Sequence, residues 1–184
     1  MRQGISVDSR AAAAWEILGI FVILGLGSLL HFLYAWSGNS PLVAPFAAVN
    51  ESVWEHLKLV FWPALLWTLI EVGPLNTRVN NFWLAKALGA ALMPLVIVSL
   101  FYFYMFLLGV NVFFLNIAIF VIAVLFGQYV SYRLLTGDER SPVASMLAPV
   151  IFVVLALLFI VFTFYPPSVG LFLDPVTQTY GIAP

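Results

Sequence analysis

The chain has 184 residues, 64% of them hydrophobic and 8% charged, with a mean hydropathy of +1.09. A water-soluble core of this length cannot hide that much apolar surface, and long runs without charge read as membrane spans. A formal net charge of −1 excludes a broad basic surface for nucleic acid, and with no cysteine there is no disulfide, thiolate metal site or thiol nucleophile.

One integral membrane domain, residues 1–184, accounts for the whole length, and neither a repeat nor a soluble domain is visible. Residues 1–12 form a polar tail with Arg2, Asp8 and Arg10. The first predicted span covers residues 13–36, with Trp15 at one end and Tyr34 and Trp36 at the other as interfacial anchors. A cleaved signal peptide is disfavoured, because the apolar run continues through His31 and Tyr34 without a small-residue cleavage site. Residues 37–49 form a loop rich in Gly, Ser, Pro and Ala that either dips into the interface or folds back over the protein.

Asn50 reads as the N-cap of a second span, residues 51–72, with Glu51 against the positive end of the helix dipole and Pro63 as a kink. Gly73 to Arg78 reads as turn and loop. The third span, residues 82–108, carries Ala85 and Gly89 four apart, a small-residue pair that permits close helix packing. Spans four and five cover residues 112–134 and 142–165, and Pro166-Pro167 stops the last. The expected fold is an all-α bundle of five transmembrane helices with a tail at residues 166–184.

Five spans put the termini on opposite sides. Arg2, Arg10, Arg78, Lys86, Arg133 and Arg140 then share the N-terminal side, and only Lys58 falls opposite. The positive-inside bias predicts the N-terminus in the cytoplasm and the C-terminus outside. His31, the segment Asn50 to Lys58, and Asp174 would share the extracytoplasmic face. Glu16 and Glu71, near the cytoplasmic boundary, read as solvated or snorkelling groups.

Within the densest polar stretch, Glu51, Glu55 and Lys58 fall on one helical stripe, and Ser52 and His56 on a second about 100° away. Ionisable groups near lipid are expensive unless they face a bundle interior or water, which makes this segment the candidate site. Imidazoles of His31 and His56 with carboxylates from Glu55 or Asp174, or Glu51, would suit zinc or another divalent metal. Glu51, Glu55 and Lys58 are the candidate catalytic groups, and Tyr34, Asn50, Ser52, Trp54 and Tyr180 candidate supporting ones. No His-Glu-x-x-His or Glu-x-x-His motif is present. The competing reading is an intrahelical ion-pair cluster of Glu51, Glu55 and Lys58, with His31 and His56 bonding across spans one and two. Asn50-Glu51-Ser52 also matches a glycosylation sequon, though one that opens a helix at the membrane surface. Asn111 and Asn116 read as turn and interhelical hydrogen-bonding residues.

His31-Phe32-Leu33-Tyr34, Trp36-Ser37-Gly38-Asn39, the block Val49 to Lys58 and the tail from Asp174 to Gly181 together resemble a family of small, uncharacterised prokaryotic integral membrane proteins. The resemblance implies a multi-pass protein of a prokaryotic cytoplasmic (inner) membrane and associates the tail with the outer site. It implies no reaction, so enzyme status stays open. The expectation is a membrane protein with an outward-facing His/Glu/Asp site and the lipid bilayer as its partner. The alternatives are a metal-dependent hydrolase or transferase acting on a lipid or envelope substrate, and an accessory or assembly subunit of a membrane complex.

Overall fold

A computed structural model describes residues 7–182; Arg2 lies outside them. Among them five α-helices follow one another: α1 (Ser9–Trp36), α2 (Val53–Leu75), α3 (Phe82–Leu108), α4 (Phe113–Leu135) and α5 (Pro142–Phe164), with a short 3-10 turn at Gly170–Phe172. No strand forms among the described residues; one isolated antiparallel bridge joins Leu173 to Tyr180. All five helices are long and apolar enough to cross a membrane, because about 20 residues at roughly 1.5 Å each cover the hydrocarbon.

α2 is the central and least apolar of the five, and more than half of its most apolar stretch is buried. α1 packs on α2 and α4, whereas α3 packs on α2, α4 and α5. Close approach depends on glycine. A Cβ at Gly27 of α1 would fall 2.3 Å from the Leu59 carbonyl oxygen of α2. Gly89 of α3 and Gly127 of α4 meet backbone to backbone: a Cβ on either would lie 2.8 Å from the other's carbonyl oxygen, and Ala85 is fully buried one turn away. The small-residue pair of the third span thus sets the α3–α4 contact, as close packing in lipid requires. Between these contacts Ile23, Val60, Phe61, Met93, Val124 and Phe159 fill the core.

The end of the bundle bearing Ser9 is tied by its loops. Asp8 caps α1 through the Ala11 N–H at 2.9 Å, and its own N–H donates to the Arg78 carbonyl. Asn81, in the left-handed conformation, donates to the Leu134 and Asp138 carbonyls and accepts from the Arg140 N–H. That one amide joins the α2–α3 loop to the α4–α5 loop.

At the opposite end three expectations change. The α2 N-cap is Ser52, whose hydroxyl accepts from the Glu55 N–H. Asn50 instead accepts from the Ser52 N–H at 2.8 Å, an Asx turn that keeps residues 50–52 outside the helix. Glu51 therefore leaves the stripe of Glu55 and Lys58. Tyr34 is buried with Ala44 and Ala47, so it anchors the 37–49 loop and not the lipid interface. Trp15 likewise packs inward, 5.4 Å from Trp67. At its other end α2 continues through Pro74 to Leu75; Pro74 has no N–H to donate to the Ile70 carbonyl, and the helix ends within two residues of it.

The 37–49 loop folds back along α2: the Trp62 Nε1–H donates to the Pro45 carbonyl at 2.9 Å, and Phe46 meets the same indole edge to face. Asn116 Nδ2 donates to Asn111 Oδ1 at 2.8 Å, and the Tyr104 hydroxyl donates to Asn116 Oδ1 at 2.6 Å across the α3–α4 turn.

Candidate functional site

The end of α1 and the start of α2 bring His31, Glu51 and His56 together. One ligand atom from each lies within 4.8 Å of the others. The two rings meet edge to face with centroids 5.1 Å apart, and Phe32 stacks on His31 at 4.9 Å. The Asx turn at Asn50 aims the Glu51 carboxylate at this pair, and half of that side chain is exposed.

His56 Nδ1 lies 2.8 Å from the Ser52 carbonyl oxygen. A carbonyl only accepts, so Nδ1 carries a proton, and the ring points Nε2 at Glu51 Oε2, 3.5 Å away. An imidazole lone pair and a carboxylate oxygen repel each other; a cation between them, a proton on Nε2 or a metal, turns the contact attractive. The hydrogen bond from His56 holds the Glu51 carboxyl below the usual glutamate range; partial burial works against this, and the charges of His56 and His31 reinforce it.

The other candidate groups lie elsewhere. Glu55 is buried and accepts from Lys58 Nζ at 2.5 Å and from the Val49 N–H at 3.0 Å. Lys58, fully buried, donates its remaining protons to the Ala44 carbonyl at 2.8 Å and the Thr163 hydroxyl at 2.9 Å. This network clamps the 37–49 loop and α5 onto α2, and its three hydrogen bonds use up the ammonium. Asp174 is buried too, but its carboxylate accepts from the Val176 N–H and the Thr177 hydroxyl and so shapes the tail.

The supporting residues join the tail to the rim. Asn50 Nδ2 donates to the Gly181 carbonyl at 2.8 Å, which occupies the amide of the sequon. Trp54 packs on Phe159, Phe162 and Phe172, seating the 3-10 turn over α2 and α5. Tyr180 pairs its backbone with Leu173 and stays partly exposed.

A second polar cluster lies toward the other end of the bundle. Lys86 of α3 bonds to Glu16 of α1 and, at 2.5 Å, to Glu71 of α2. Ser131 of α4 donates to Glu16 Oε1 at 2.8 Å, and Gln128 donates to the Glu16 carbonyl. Gly19 makes room for the Gln128 and Trp67 side chains, which a Cβ would strike at 2.2 and 2.4 Å. All three charged residues are buried, Glu71 completely, so the expectation of solvated or snorkelling roles for Glu16 and Glu71 is overturned. The signal was available: each of the three sits at least a turn inside an apolar helix, where an ionisable group must pair.

The fold and the two polar clusters define a class, a five-helix bundle of multi-pass membrane character with one half-open polar rim and one sealed ionic cluster. The sequence matches DUF6512, a family of unknown function, over residues 6–182, and the chain belongs to that family. No curated protein and no solved structure matches it.

Proposed function

We propose that the His31–Glu51–His56 rim binds a divalent first-row metal and that the protein is a metal-dependent hydrolase or transferase acting on a lipid or envelope substrate at the outer leaflet. The observation that carries this reading is the Nε2–Oε2 pair of His56 and Glu51 at 3.5 Å, with Nδ1 already committed to the Ser52 carbonyl. Tetrahedral zinc with bonds of about 2.0–2.1 Å places its ligand atoms roughly 3.4 Å apart. A backbone carbonyl on the far ring nitrogen is the partner that orients metal-bound histidines. Two imidazoles and one carboxylate, partly exposed, leave further coordination positions open, the arrangement of catalytic rather than structural zinc. When bound, the metal would supply a Lewis acid and an activated water.

The residues around the rim have separate tasks. His31 and His56 hold the ion, Glu51 neutralises part of its charge, and Phe32 stacks on one face of the His31 ring. Glu55 and Lys58 hold the rim in place from beneath and take no proton from substrate. The arginine bias, carried by Arg10, Arg78, Arg133 and Arg140 at the opposite end, supports an extracytoplasmic rim in a prokaryotic inner membrane. Incubating zinc-loaded and chelator-stripped protein with a total membrane-lipid extract tests the activity: a product formed only by the loaded wild type, and not by His56→Ala, is expected. An extract unchanged by loaded protein would sink the enzymatic reading.

The accessory-subunit reading has one observation in its favour, the complete internal satisfaction of Lys58. Under it, phenotype tracks protein abundance alone, and His31→Ala at normal abundance behaves as wild type.

A further inference from the structure

The sealed cluster of α1–α4 has an unbalanced charge. Glu16 and Glu71 contribute two carboxylates, and Lys86 is the one cation bonded to them among the described residues. The remaining neighbours, Ser131 and Gln128 of α4 and Trp67 of α2, carry no charge. Glu16 Oε2 and Glu71 Oε1 are buried with no hydrogen-bond partner among the described residues, and the Trp67 Nε1–H beside Glu71 is the one neutral donor near them that is also unpartnered. A buried carboxylate oxygen without a donor is costly, and two carboxylates sharing one ammonium leave a net negative charge where water cannot solvate it.

We infer that Glu16, Glu71 and Lys86 form a binding site for one exchangeable monovalent cation, a proton or a sodium ion, held between the two carboxylates beside the lysine ammonium. Either ligand brings the charge to zero and gives the bare oxygens a partner. The site is built from four helices: the acids come from α1 and α2, the ammonium from α3 and the orienting hydroxyl and amide from α4. Occupancy therefore stabilises the contacts among all four. This site is separate from the metal rim at the other end of the bundle and does not depend on it.

Glu16→Gln and Glu71→Gln each remove the excess charge, so each should fold and lose cation dependence, whereas a purely structural triad would be weakened by either. Thermal unfolding of the purified full chain in detergent is measured against sodium chloride, with choline chloride as the ionic-strength control, and against pH; infrared spectra follow the carbonyl band of protonated carboxyl groups. For a sodium ligand, the wild-type midpoint rises with the logarithm of sodium and not of choline. For a proton, the midpoint ignores sodium and falls as pH rises, and the infrared band is lost in Glu71→Gln or Glu16→Gln. Both dependences vanish in the two glutamine variants. A wild-type midpoint that follows neither ion, dependences that survive in both variants, or failure of both variants to fold would each overturn the assignment.

Discussion

Removing the Lys58 ammonium would leave Glu55 as an uncompensated charge among helices, and its bonds to Ala44 and Thr163 would be lost with it. Breaking one partner of a buried pair costs about 3–5 kcal/mol, so Lys58→Met should lower the unfolding midpoint in detergent sharply. Thr163→Val, which leaves one proton of the buried ammonium without an acceptor but keeps the ion pair, should cost less, about 1–3 kcal/mol. Equal losses in the two variants would show that the ammonium is not the centre of the network. Glu51 differs because it is half exposed, and its contribution to stability is small. Its folded-state pKa lies below the unfolded one. The stabilisation is therefore present above the ordinary glutamate range and disappears as pH falls through the depressed value. Glu51→Gln should flatten that acid limb of the midpoint-versus-pH curve and lower the neutral plateau only slightly, towards the acid value.

The helices hold their relative positions through small residues and loop amides rather than long polar seams. Gly127→Leu would drive a side chain into Met93 and the Gly89 carbonyl, and should unseat α4 from α3. Gly25→Leu, with open space around it, should be tolerated; comparing the yields of folded protein checks both. Asn50→Ala should free the tail at Gly181 and expose residues 166–182 to limited proteolysis, while α1–α5 stay protected. The five helices were legible because each is a charge-poor run of span length, and Ala85 with Gly89 marked the α3–α4 contact at i, i+4 spacing. The N-cap was misplaced because Asn50 and Ser52 are both good caps, and which of them caps depends on a turn that sequence leaves open. In the candidate site, His31 and His56 were visible as the chain's two imidazoles. The swing of Glu51 toward them was not, because a stripe drawn on a continuous helix binds it to Glu55 and Lys58. The Glu16–Lys86–Glu71 cluster is hidden for a related reason: nearness to a helix end reads as exposure, and the pairing exists only once three separate helices come together.

At the scale of the molecule, ionic groups collect at two levels of the bundle, and lipid-facing surfaces such as that of α5 carry almost none. We propose, from the arginine bias, that the rim is extracytoplasmic. Since the native chain lacks cysteine, Leu42→Cys and Ser141→Cys can each report one end with a membrane-impermeant thiol reagent. In intact cells Leu42→Cys should label at once and Ser141→Cys only after permeabilisation; the reverse pattern would invert the topology. The rim itself is tested most directly by the metal content of protein purified in detergent after loading with zinc and removal of the excess. The account predicts about one ion per chain in wild type, retained in Glu55→Gln and Asp174→Asn and lost in His31→Ala, Glu51→Ala and His56→Ala. No bound zinc in wild type, or a content indifferent to the two histidines, would contradict it.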